Sequence, residues 1–174
     1  MSLLTILIIA IVIGIVAFLI FIYNKLVKNR NRMNEAWAAI DVFLKKRYDL
    51  IPELVETVKG YCKYEKDVLT DVTRCRKEAM QAKEIQDKSV SESNLEGALS
   101  GLFITIENYP DLKANENFLQ LQQQISEVET DLERARRYYN GTVRKNNIFI
   151  ESFPVNIISP LFNGQKGVFF TIDN

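Results

Sequence analysis

LLTILIIAIVIGIVAFLIFI, Leu3 to Ile22, is a run of twenty residues without a charge. At about 1.5 Å per residue it makes a helix of about 30 Å, the thickness of a bilayer's hydrocarbon core. Thr5 is its only polar side chain, and a helical threonine hydroxyl bonds back to a carbonyl of its own turn. Lys25, Lys28, Arg30 and Arg32 follow. The run predicts a single-pass transmembrane anchor over residues 1–24 of a cell-membrane protein. The four basic residues predict its orientation, because a positive flank stays in the cytoplasm and leaves the short N-terminus outside. They form a membrane-orienting collar that attracts anionic headgroups at about 1 kcal/mol per charge. A cleaved secretory signal fits worse, since its charges precede a shorter apolar core. The first cysteine, Cys62, is too distant for lipid attachment at the run.

Beyond the anchor, apolar residues recur at three-and-four spacing: Leu26, Met33, Trp37, Ile40, Leu44, Tyr48, Ile51, Val55, Val58 and Cys62. This is the stripe of an amphipathic helix. Nothing between Ile22 and Lys28 breaks it, so anchor and first helix read as continuous. Pro52 keeps the phase but removes one backbone hydrogen bond, which predicts a kink. A second helix reads from about Glu65 to Asp87, with Val68, Val72, Cys75, Ala79 and Ala82 inward. The polar stretch Ser89 to Asn94 reads as a break, and Ser93 with Glu96 has the spacing of a capping box. A third helix then carries Leu95, Leu99, Leu102, Ile106 and Tyr109. Asn108-Tyr109-Pro110-Asp111 is a turn signal. Asn115 is placed to cap a fourth helix with Phe118, Leu121, Ile125, Val128, Leu132, Ala135, Tyr139 and Val143 inward, ended by Phe153-Pro154.

The fold expected is all-α: an N-terminal transmembrane helix continuing into a long antiparallel four-helix bundle, up-down-up-down, over residues 25–152. Residues 153–174 form a C-terminal tail too apolar for ordinary disorder, which this topology returns to the membrane end.

Charge is balanced at 22 basic and 22 acidic residues, against a nucleic-acid binder that needs a basic surplus. There is no histidine, so the commonest general base and zinc ligand are missing. The two cysteines, Cys62 and Cys75, sit in apolar patterns and read as free buried thiols. The seven glycines are scattered, with no phosphate-cradling loop. No catalytic residue, metal or cofactor is expected, and no enzyme is proposed.

The chain resembles the LemA family of single-pass bacterial membrane proteins. The resemblance rests on Glu35-Ala36-Trp37, Ile40-Asp41 and the stretch from Leu44 through Asp49-Leu50-Ile51-Pro52-Glu53-Leu54-Val55 to Tyr61. It continues in Glu107-Asn108-Tyr109-Pro110-Asp111-Leu112-Lys113, Asn117-Phe118, Ala135-Arg136-Arg137-Tyr138-Tyr139-Asn140 and Phe153-Pro154. It implies a long four-helix bundle and brings no catalytic residue or cofactor. The partners it implies are membrane or envelope proteins, among them a membrane metalloprotease. The sensor-kinase role once attached to the family name conflicts with the absence of histidine.

Lys45, Lys46, Arg47 and Asp49, with Arg136 and Arg137, form the candidate interaction surface on what should be adjacent helices. Read functionally, they dock an acidic segment through bidentate arginine; read plainly, they are solvated helix faces knitted by weak ion pairs. Asp41, Asp49, Glu53, Glu107 and Glu129 offer carboxylates for a metal, but lack the histidine that usually completes bundle sites. Trp37 fits the inward stripe, and Arg136, Tyr139 and Asn140 are expected to contact the segment around Pro52. Ala10-x-x-x-Gly14 is a helix-packing spacing that admits a homo-oligomer. The function expected is a membrane-anchored scaffold or adaptor without catalysis. The alternative is a membrane-surface lipid or ligand sensor using the collar and tail.

Overall fold

A computed structural model describes residues 3–62 and 64–172. Among them the only regular structure is helical: α1 (Leu3–Lys59), α2 (Lys66–Gln81), α3 (Ile85–Ile106), α4 (Pro110–Lys113), α5 (Glu116–Glu151) and α6 (Val155–Ile158), then a 3-10 turn at Ser159–Phe162. Helix α1 is unbroken from the apolar run through Pro52. It is long and apolar enough at its start to cross a membrane, and none of its most apolar window is buried within the protein. Gly60 follows its end, where the amides of Tyr61 and Cys62 both return to the carbonyl of Val58.

Pro52 has no amide to give the carbonyl of Tyr48, four residues back. Arg76 of α2 supplies the missing donor, Nε to the Tyr48 carbonyl at 2.7 Å. The helix thus continues through proline with that acceptor satisfied.

The chain divides into two units. The first comprises Met1–Ala36 and Asn140–Gly167. Its core is Ile22, Leu26, Ile150 and Val155, with Phe149, Ile158 and Phe162 packed against it. Tyr23 and Phe162 meet edge-on at 5.6 Å. The Phe153-Pro154 peptide is cis. After the 3-10 turn, Asn163 takes a left-handed φ of 57° and the Gly164 amide donates to the Ser159 carbonyl at 2.8 Å. A Cβ on Gly164 would sit 2.8 Å from the Ser159 Cβ, so the turn requires glycine. Asn147 then clasps Gly167, accepting its amide at 2.8 Å and donating to its carbonyl at 3.0 Å.

The second unit comprises Trp37–Tyr139 and Val168–Asn174. Its core draws Ile40, Leu44, Ile51, Leu54 and Val58 from α1, Val72 and Cys75 from α2, Leu95, Leu99 and Leu102 from α3, and Phe118, Leu121, Ile125 and Leu132 from α5. Each such side chain contributes about 1.5–3 kcal/mol relative to exposure. Within this unit Trp37 pairs with Tyr139, and Arg47 with Glu129. Ten residues forward on α1 match ten backward on α5, so these two segments are antiparallel. The tail adds Phe170, 1% exposed, whose ring meets Trp37 edge-on at 5.3 Å.

Several expectations change. The second helix ends at Gln81, not Asp87, and α3 starts at Ile85. The stretch Ser89 to Asn94, expected as a break, is helix interior, and Ser93 and Glu96 lie mid-helix rather than at a cap. Its polar groups are consumed locally. Ser91 Oγ bonds back to the carbonyls of Asp87 and Lys88, and the Glu92 carboxylate finds partners on α1. In α2 Leu69 is buried and Val68 only half-buried. Asn115 does cap α5, its Oδ1 accepting the Phe118 amide at 3.0 Å. Cys62 and Cys75 are free and buried, and burial pushes both thiols up.

Candidate functional site

The second unit holds a polar knot in its apolar interior. Arg47 and Glu92 are ion-paired with neither side chain exposed. Arg47 Nη1 reaches Glu129 of α5 at 2.9 Å, and the Tyr48 hydroxyl donates to the other Glu92 oxygen. Arg47 Nε is buried without an acceptor among the described residues. Burial opposes the Arg47 charge, but Glu92 and Glu129 outweigh it and hold the guanidinium above its usual range. Burial, then the Glu92 carboxylate, push the Tyr48 phenol well above the usual tyrosine range. Arg47 is therefore removed from the expected exposed surface. It ties α1 to α3 and α5.

The other members of that surface fall in different places. Lys45, Lys46 and Asp49 are exposed on α1, Arg136 is half-buried, and Arg137 is exposed and paired with Glu133 at 3.0 Å. Lys46 lies 5.5 Å from the Phe43 ring centroid. Lys46 and Asp49 line an open groove of about 400 Å³ between α1 and α5, floored by Phe43, Leu50 and Val128. Glu127 and Asp131 complete its charged lining, giving three acids against one base. The surface expected to be basic is thus acidic where it is concave.

Of the carboxylates considered for a metal, Glu129 goes to Arg47 and Asp41 lies 3.7 Å from Lys88. Among the described residues no three metal-ligating side chains gather. Tyr139, expected near Pro52, instead packs against Trp37 with the rings tilted by 60° and donates to the Val168 carbonyl at 2.8 Å. The antiparallel register explains this: the late part of α5 in this unit meets the early part of α1.

In the first unit Lys25, Lys28, Arg30 and Arg32 are all exposed. None has an ion pair among the described residues. Arg30 lines a cleft of about 230 Å³ with Lys166, Asn146, Leu26, Ile150 and Phe162. Asn146 is buried and donates to the Gln165 carbonyl at 3.1 Å, while Lys166 pairs with Glu151 at 2.6 Å.

The sequence model of the LemA family matches residues 36–174. The chain belongs to the LemA family. Protein LemA of Metamycoplasma hominis is 26% identical over 137 residues, covering 78% of this chain and 63% of the relative's length. The chain therefore spans less than two thirds of that relative. In this LemA-family chain the matched segment holds the Arg47 knot, the acidic groove and the Asn147 clasp. The apolar run and the collar precede it.

Sequence reasoning missed Glu92, Arg76, Asn147 and Lys166. Glu92 lay in a stretch read as a break. A findable signal for Arg76 was Pro52 itself, since an interior proline frees a carbonyl that must find a donor.

Proposed function

We propose that this LemA-family chain is a membrane-anchored helical scaffold that presents its second unit to other membrane or envelope proteins, without catalysis of its own. One observation carries the reading: α1 begins as an exposed apolar run of membrane-spanning length and continues without a break into the buried stripe of the second unit. Helix α1 thereby belongs to both the anchor and the presenting module. In this reading the long helices pack up-down-up-down as an antiparallel bundle, and the collar keeps them on the cytoplasmic side.

Charge partition supports it. The first unit carries seven basic and two acidic residues, and the second fifteen and twenty. An anionic bilayer attracts the first and repels the second. The neutral total conceals this division.

The acidic groove fits a basic amphipathic segment, with apolar side chains on Phe43, Leu50 and Val128 and basic ones on Asp49, Glu127 and Asp131. A membrane metalloprotease is one partner class; a second copy of the chain is another. A photo-crosslinking residue placed at position 46 in native membranes should yield a discrete protein adduct, whereas one at exposed Lys113 should not. Identical adduct patterns at both positions, or none at 46, would sink the assignment of the groove.

A further inference from the structure

We propose that the cleft bounded by Arg30 and Lys166 binds the phosphate of an anionic phospholipid, whose apolar end lies against Leu26, Ile150 and Phe162. The inference rests on the reading of residues 3–22 as a membrane anchor. The chemistry it needs is an anionic phosphate ester joined to an apolar chain, and the cleft has both halves. Its volume, about 230 Å³, suits a headgroup, being below the roughly 300 Å³ at which pockets for drug-sized molecules begin.

Depth places the cleft at the right level. Arg30 lies eight residues beyond Ile22, a rise of about 12 Å along α1. Helical side chains lean toward the helix N-terminus, here toward the anchor, so the guanidinium reaches back toward the interfacial layer, which extends roughly 5–8 Å beyond the hydrocarbon core. The apolar floor is continuous with the end of the apolar run, because Leu26 and Ile150 share a core with Ile22, itself wholly covered.

The charges complete it. Arg30 has no ion pair among the described residues, and its planar fork matches two phosphate oxygens. Lys166 is partly neutralised by Glu151 at 2.6 Å, which leaves Arg30 the principal contact. A second observation comes from the same unit. In this unit Phe153, Ile157 and Leu161, spaced four apart, are 80, 64 and 81% exposed. Apolar side chains so exposed in the unit that carries the basic collar belong in the headgroup–acyl boundary.

The test uses the detergent-purified full chain, incubated with phosphatidylglycerol or phosphatidylcholine and freed of excess by gel filtration. Phosphorus analysis then counts the phospholipid retained. The wild type should retain phosphatidylglycerol and not phosphatidylcholine. Arg30→Gln with Lys166→Gln should lower retention about tenfold, while Lys113→Gln, exposed in the second unit and outside both collar and cleft, should match the wild type. Arg30→Lys should restore part of the binding, and circular dichroism should show unchanged helicity in every variant. Equal retention by the double variant, or of both lipids, would overturn the proposal. So would displacement of the lipid by inorganic phosphate, which would make a free anion the ligand. Alkaline extraction of cell membranes tests the anchor separately: a chain released by it refutes the anchor, whatever the retention experiment reads.

Discussion

The carbonyl of Tyr48 accepts a hydrogen bond from Arg76 Nε at 2.7 Å, in the place of the amide that Pro52 lacks. A tertiary contact thereby repairs a defect in the backbone of α1. Removing the donor leaves a part-buried acceptor unpaired, at a cost of about 1–3 kcal/mol. Arg76→Met should therefore destabilise the chain by about that amount, read from urea unfolding of the detergent-solubilised protein by circular dichroism. In a Pro52→Ala background the new amide satisfies Tyr48, and the same substitution should cost markedly less. Equal costs in both backgrounds would break the link between proline and arginine.

The Arg47–Glu92 pair makes a similar cycle. Truncating one partner strands a buried charge, so Arg47→Met should cost about 3–5 kcal/mol. Replacing both with methionine fills the same space without charge and should recover most of that loss. A double variant as unstable as the single would mean that Arg47 acts through Glu129 rather than Glu92.

Tyr48 sets a pH dependence whose sign is fixed. Its phenol titrates higher in the folded chain than at the unfolded value of about 10. Below that value both states hold the proton, and the Tyr48 contribution to stability is fully present. Above it the unfolded chain loses a proton that the folded one keeps, so stability falls by about 1.4 kcal/mol per pH unit for each such group. Tyr139, raised by burial, adds to the slope. Stability followed from pH 9 to about 11 should fall more gently in Tyr48→Phe than in the wild type. Parallel curves would remove Tyr48 from the effect.

Asn147 secures the start of the extended tail by two hydrogen bonds to Gly167. Asn147→Ala should cost about 1–3 kcal/mol and hasten proteolytic cleavage after Lys166. Gly167→Val should behave likewise, since even a Cβ there would lie 2.9 Å from Met33 Sδ and 3.3 Å from both Val143 methyls. Met33→Ala should relieve part of the second defect and none of the first.

How much of this was legible depended on whether the signal was periodic. The apolar run, the α1 stripe and the Asn115 cap are local patterns, and each lies in a helix or at a helix start as its spacing requires. Ser89 to Asn94 looked like a break because polarity is also the mark of a loop. Only the partners of Glu92, 44 and 45 residues away on α1, show that its polarity is structural. Arg47 looked like part of a basic surface for the same reason: sequence shows a charge but not its neighbour. The acidic groove was hidden because it forms from α1 and α5, segments distant in the chain. The opposite charges of the two units were hidden by a total of zero.

Membrane topology decides whether the chain beyond the anchor stays on the side of the basic collar. Lys83 is exposed between α2 and α3, and Cys62 and Cys75 are buried, so wild-type protein serves as the blank for Lys83→Cys. Cells expressing the variant are treated with a membrane-impermeant maleimide, intact and after lysis. Labelling only after lysis is expected. Labelling in intact cells would contradict it and place the second unit outside the membrane.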